Sequence, residues 1–111
     1  MDENIEKSLA SNVADMVDYL PHSVVSKTIL KKSTGNIILS SFDSGEGLPE
    51  TTSPFDAFIQ IIDGKADIVI EDKTIYLNTG EAIIIPAHSS NILKANERFK
   101  MIQTIIKSGY E

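Results

Sequence analysis

Apolar positions along the chain follow two different periods, and the change falls near residue 22. Over 3–20, Ile5, Leu9, Val13, Met16, Val17 and Leu20 recur at steps of three and four, the spacing of one helical face. Asp2 stands where a helix is capped, Glu3 and Glu6 where its dipole favours negative charge, and Pro21 where it ends. Ser11-Asn12 competes for backbone hydrogen bonds midway, so one helix or two short ones are expected. The apolar face marks this segment as a cover packed on the rest of its own chain or on a second subunit.

From residue 23 the period becomes two, or short apolar runs. Val24–Lys31 and Asn36–Phe42 read as strands joined by a turn at Ser33-Thr-Gly-Asn36. Phe58–Ile62 and Ala66–Glu71 flank Asp63-Gly64, where positive φ is tolerated, and this predicts a hairpin. Glu71-Asp-Lys73 offers a tight turn before Thr74–Leu77, Ala82–Ile85 follows Gly80, and Arg98–Lys107 forms a last long strand. Many short strands at close spacing predict an all-β sandwich or barrel over 23–111, preceded by a short helical segment over 1–22.

The last strand alternates Phe99, Met101, Gln103 and Ile105 with Lys100, Ile102, Thr104 and Ile106. One set fills the barrel, and the other is still largely apolar. Phe58 and Ile62 should also lie on an outer face if Ala57 points inward. Apolar outer faces call for a further cover, and a symmetric homodimer is the simplest.

Composition narrows the function classes. With 111 residues the chain is long enough for one domain, and 41% apolar residues suit a globular protein. Cysteine is absent, which excludes disulfides, thiolate nucleophiles and thiolate metal sites. A net charge of −6 disfavours nucleic acid and anionic membrane as partners. The acidic N-terminus lacks the basic start and apolar run of a signal peptide, and no run approaches the ~20 apolar residues of a membrane span, so a cytoplasmic location is expected.

Two stretches carry a distinctive spacing. The first runs from Gly45 through Thr51, Ser53 and Ala57 to Gly64, and the second from Gly80 through Pro86, His88 and Asn91 to Ala95. Together they resemble the cupin motifs G-x5-H-x-H-x3-E-x6-G and G-x5-P-x-G-x2-H-x3-N. The Pro-Phe-Asp-Ala string at 54–57 resembles a group of small single-domain cupins of undefined activity, over most of the length from Val24 to Met101. The resemblance implies a double-stranded β-helix, the jelly-roll barrel of the RmlC-like cupins. In such proteins two His and a Glu from the first motif and a His from the second converge on one metal.

Here those four positions hold Thr51, Ser53, Ala57 and Asn91, and the motif's last Asn is Ala95. Hydroxyls and one amide bind transition metals poorly without an imidazole or an anionic partner. No metal and no cofactor is therefore expected. Thr51, Ser53, Ala57, Asn91 and Ala95, with Ile59 and Ile61 by strand parity, would line a mildly polar pocket. Such a pocket either takes a small organic ligand or closes on its own hydrogen bonds and water.

A non-catalytic protein that binds such a ligand, or that acts as a dimeric interaction module, is the leading expectation. The alternative is metal-independent acid–base chemistry of the isomerase or epimerase kind, which some cupin-fold sugar epimerases perform. His88 near the barrel mouth, with Asp56 beside the empty Glu position or with Tyr76, would carry it. The bland reading of His88 is an exposed loop residue. Asp56 should face away from Ala57 by alternation, unless Pro54 kinks the strand.

Overall fold

The computed structural model describes residues 6–108. Eight strands follow in chain order: β1 Val24–Lys32, β2 Gly35–Phe42, β3 Gly47–Thr52, β4 Ala57–Ile70, β5 Lys73–Asn78, β6 Ala82–Ile85, β7 Ser90–Lys94 and β8 Phe99–Ile106. Every strand pairing is antiparallel. One sheet has the order β1-β2-β8-β4-β6 and the other β5-β4-β7-β3. The long β4 belongs to both, with its first half paired to β8 and β6 and its second half to β5 and β7. The result is the all-β barrel that the strand pattern predicts, in the jelly-roll form that the motif resemblance implies.

The hairpin expected at Asp63-Gly64 does not form. The chain runs straight on as β4, and the register against β8 shifts between Ile61 and Asp63. An irregularity of this kind bends a strand without reversing it, and here it carries the strand from one sheet into the other. Gly64 is essential to that bend in two ways. It sits at φ +82°, and it pairs so closely with β8 that a Cβ would overlap the Arg98 carbonyl oxygen and lie 2.9 Å from Phe99 Cα.

Two strands lacked a clear pattern in the sequence. The strand β3 is exposed along its whole length and contains Pro49, and its register with β7 breaks between Leu48 and Thr51. Pro is tolerated there because β3 is an edge strand. Its partner β7 is short and alternates buried Asn91 and Leu93 with less buried neighbours.

The core lies between the two sheets. Phe42 and Phe99 stack at 4.5 Å with an interplanar angle of 11°, joined by Ile59, Ile61, Ile68 and Met101 among others. Phe99 and Met101 mark the inward set of β8, while Lys100, Ile102, Thr104 and Ile106 take the outer face.

The N-terminal segment differs from the amphipathic helix its spacing predicts. Its only helical turn among the described residues is a 3-10 turn at Val13–Asp15, capped by Asn12, whose side chain accepts from Ala14 N. Asp2, Glu3 and Ile5 lie outside the described residues. The local bond made by Asn12 is the competition expected of that residue, and it places a cap in the middle of the helical spacing, so that the turn starts only at Val13.

The remainder is a strap held on the outer face of the first sheet. Asp18 O accepts from Ser41 Oγ at 2.8 Å, and Ala14 O accepts from Lys100 Nζ at 2.5 Å. The Tyr19 ring lies under the cations of Arg98, at 4.4 Å, and Lys100, at 4.9 Å. Its hydroxyl donates to Asp63 at 2.5 Å. Burial and the neighbouring Asp63 carboxylate push the Tyr19 hydroxyl well above its ordinary pKa, so it remains a donor. Asp43 accepts from His22 N at 2.8 Å and pairs with Arg98, and these contacts hold its carboxyl below the usual range. Under the strap Val17 and Leu39 become buried. No helix among the described residues is long and apolar enough to cross a membrane.

Candidate functional site

The strand geometry brings the motif positions together. Thr51 on β3 and Asn91 on β7 are direct cross-strand partners, and the Asn91 side-chain amide donates to Thr51 O at 3.3 Å. Ser53 follows β3, and Ala57 opens β4. Thr51, Ser53, Ala57 and Asn91 all border one cavity of about 60 Å³ between the sheets. Its other walls are Phe55, Ile85, Pro86, Ser89, Gln103 and Ile105.

The remaining positions expected on that wall lie elsewhere. Ile59 and Ile61 are fully buried in the core, and Ala95 is packed in the same cluster. Strand parity turns these side chains inward, but the packed interior takes them before they reach the cavity. Gln103 is the wall residue that motif reasoning missed. A signal existed, because Gln103 is the one polar member of the inward set Phe99, Met101, Gln103 and Ile105.

Neither acid–base candidate borders the cavity. His88 is exposed, and its main-chain N–H donates to Ser53 O at 2.7 Å, tying the second motif to the first. It sits at φ +67°, so the backbone keeps the left-handed conformation for which the motif has glycine. Asp56 is exposed and accepts from Ala87 N at 2.7 Å, a bond that pins the loop after β6. Tyr76 is 71% exposed on β5, and Glu50 is exposed and accepts from Ser90 Oγ. These carboxylates anchor loops and stay outside the cavity.

The donor set decides what the cavity can hold. Its polar atoms are hydroxyls and amides, with no imidazole or carboxylate on the wall. Among the described residues no group of three or more His, Asp or Glu is placed to hold a metal ion. The residues present therefore do not fit the metal that the motif spacing implies. Nor does the wall offer a general base, a nucleophile or a concentrated charge. The volume admits a few waters or a ligand of a few heavy atoms, against the ~300–1,000 Å³ usual for organic ligand pockets.

No protein-family model and no curated protein sequence matches the chain. Solved structures do match it. A conserved protein of unknown function from Streptococcus pyogenes superposes with a TM-score of 0.89 at 29% identity, over 94% of this chain and 91% of that one. A cupin superfamily protein from Desulfitobacterium hafniense DCB-2 superposes with a TM-score of 0.84 at 24% identity, over 95% of each chain. A cupin 2 conserved barrel domain protein from Leptotrichia buccalis gives a TM-score of 0.85 at 30% identity, over 87% of this chain and 47% of that protein.

Proposed function

Because the chain shares the fold of cupin superfamily proteins, its barrel cavity is the first place to seek a function, and we propose that the function lies instead on its surface. In this reading the protein is a metal-free, non-catalytic cupin that works as an interaction module. The observation that carries it is the convergence of the four motif positions on a cavity of about 60 Å³ walled by hydroxyls, amides and apolar groups. A site of that kind supplies neither a Lewis acid nor a proton carrier, and it leaves little room for an organic ligand.

Supporting the same reading, the hydrogen bonds of this region tie protein to protein. Asn91 is spent on Thr51 O, Ser53 Oγ accepts from Phe55 N at 3.1 Å, and Asp56 holds the loop containing His88. The wall is thus partly satisfied from within, as in a structural polar cluster. The acid–base alternative draws no support from the geometry, since His88 and Asp56 are both exposed and off the cavity wall.

Thermal unfolding in the presence of a broad metabolite panel tests the proposal. Any compound that binds only the folded state at a hundred times its Kd should add about 2.7 kcal/mol. The reading predicts no reproducible rise in Tm from any member. A rise of several degrees that disappears in both Asn91→Leu and Gln103→Leu would overturn it and make the cavity a ligand site.

A further inference from the structure

The first sheet ends in a strand with an open edge. Among the described residues β1 pairs with β2 alone, so its main-chain groups that point away from β2 have no strand beside them. At nine residues it is the longest of the edge strands, and it contains no proline, whereas β3 has Pro49 and β6 is four residues long. Its register with β2 shifts between Thr28 and Leu30, so the regular edge is Val24–Thr28.

The charge on this edge is opposite in sign to that of the chain. From Ser23 to Phe42 there are three lysines, Lys27, Lys31 and Lys32, and no carboxylate, in a protein of net charge −6. Two acids stand near the start of β1. Asp43, whose N–H donates to Ser23 O, is paired with Arg98, and Asp18 belongs to the strap. Beside the regular edge lies a hollow of about 320 Å³, walled by Met16, Val17, Asp18 and Leu20 of the strap and by Val25 and Lys27 of β1. Leu20 is half exposed there, and Val24 packs against the core, so Val25 and Lys27 share the outer face.

We propose that this edge takes an additional strand from a partner protein, an extended segment with apolar and acidic residues at alternate positions of one face. Its main chain continues the sheet along Val24–Thr28, as in other cases of strand addition. On the outer face one apolar side chain enters the hollow beside Val25, and a carboxylate two residues along meets Lys27. A second copy of the same edge does not fit. Pairing β1 with β1 would bring lysines together and supply no carboxylate, and like charges across a ladder destabilise it. The lysines that keep two copies of this edge apart are the ones that select an acidic strand.

The inference rests on the reading of the chain as an interaction module, and adds the surface and the chemistry of the partner. Its test is the fluorescence anisotropy of a labelled peptide, Glu-Thr-Val-Thr-Glu-Thr-Val-Thr-Glu, titrated with the full chain. Valine and glutamate share one face of this peptide, and its symmetric order suits either strand direction. Saturable binding with a Kd below about 1 mM is expected. The same peptide N-methylated throughout keeps its side chains and charge but has no N–H to donate, and should bind at least about tenfold more weakly. The double variant Lys27→Glu with Lys32→Glu, both exposed positions, should keep the native Tm and also lose at least about tenfold. No binding to the native chain, equal binding of the methylated peptide, or equal binding to the charge-reversed variant would each overturn the proposal. A chain that ignores the peptides and still shows no response to metabolites leaves the interaction-module reading standing with another surface. A Tm rise with a metabolite overturns that reading and leaves the peptide titration untouched, so the two failures are distinguishable.

Discussion

Combining Thr51→His, Ser53→His, Ala57→Glu and Asn91→His is expected to turn this chain into a metal protein that holds about one equivalent of nickel or zinc. All four positions border one cavity, and Thr51 and Asn91 already face each other across β3 and β7. Three imidazoles and a carboxylate supply the donors that hydroxyls, an amide and a methyl group do not. Without metal the variant should be less stable than the native protein. Enlarging side chains in a tight interior costs ~1–3 kcal/mol, and Ala57→Glu adds a buried carboxylate. Addition of metal should raise its Tm by ~10 °C or more, since binding to the folded state alone is stabilising. The native chain should show no such response. A folded variant that takes up no metal would mean that the four side chains do not converge.

Gly64→Ala is expected to be the most damaging single substitution in the barrel. Gly64 holds β4 at φ +82° where it bends between the sheets, and an added Cβ would meet main-chain atoms of Arg98 and Phe99. Neither can withdraw without breaking the β4–β8 ladder. Left-handed strain of ~1–3 kcal/mol and a backbone clash of similar size together remove about 3–5 kcal/mol. For a domain of this length that lowers Tm by at least ~12 °C. Gly45→Ala makes the control, because Gly45 has φ +87° but an added Cβ there meets nothing within 4 Å. It should cost only about 1 kcal/mol. Thermal denaturation of both variants checks the pair, and equal losses would show that the close approach to β8 is unimportant.

Much of the fold was legible because its signals are local. Val24 to Phe42 and the last strand announce themselves through β-branched and aromatic residues punctuated by turns. The motif spacing placed Thr51, Ser53, Ala57 and Asn91 on one wall because the interval between a turn and a strand residue is fixed by strand rise. Even the loop at His88 keeps its left-handed backbone without the glycine.

What escaped depends on contacts distant in sequence. Asp63-Gly64 has the composition of a hairpin turn, and only pairing with Phe99 across the ladder shows that the chain continues. The spacing of Leu9, Val13, Val17 and Leu20 is helical, yet Tyr19, Asp18 and Ala14 find partners on the sheet that an extended strap reaches and a helix would not. Leu9 and Leu20 are accordingly exposed while Val17 is buried. The narrowness of the cavity was hidden for the same reason, since Phe55, Ile85, Gln103 and Ile105 close it from strands and loops outside the first motif's ligand positions. Alternation marked Phe58 as outward, but its place in one cross-strand row with Thr104, Ile37 and Leu30 emerges only from the register of β1, β2, β8 and β4.

The claim at the centre of this account is that the cavity on which the four motif positions converge does not hold a metal. Its most direct test is the metal content per subunit of untagged protein, by elemental mass spectrometry, after exposure to iron, manganese, nickel, copper and zinc followed by desalting. Below about 0.1 equivalent of every metal, the level of carry-over at weak sites, is the predicted result. A full equivalent of any one of them would contradict the account and send the search for ligands to His22, His88 and the carboxylates that anchor the loops.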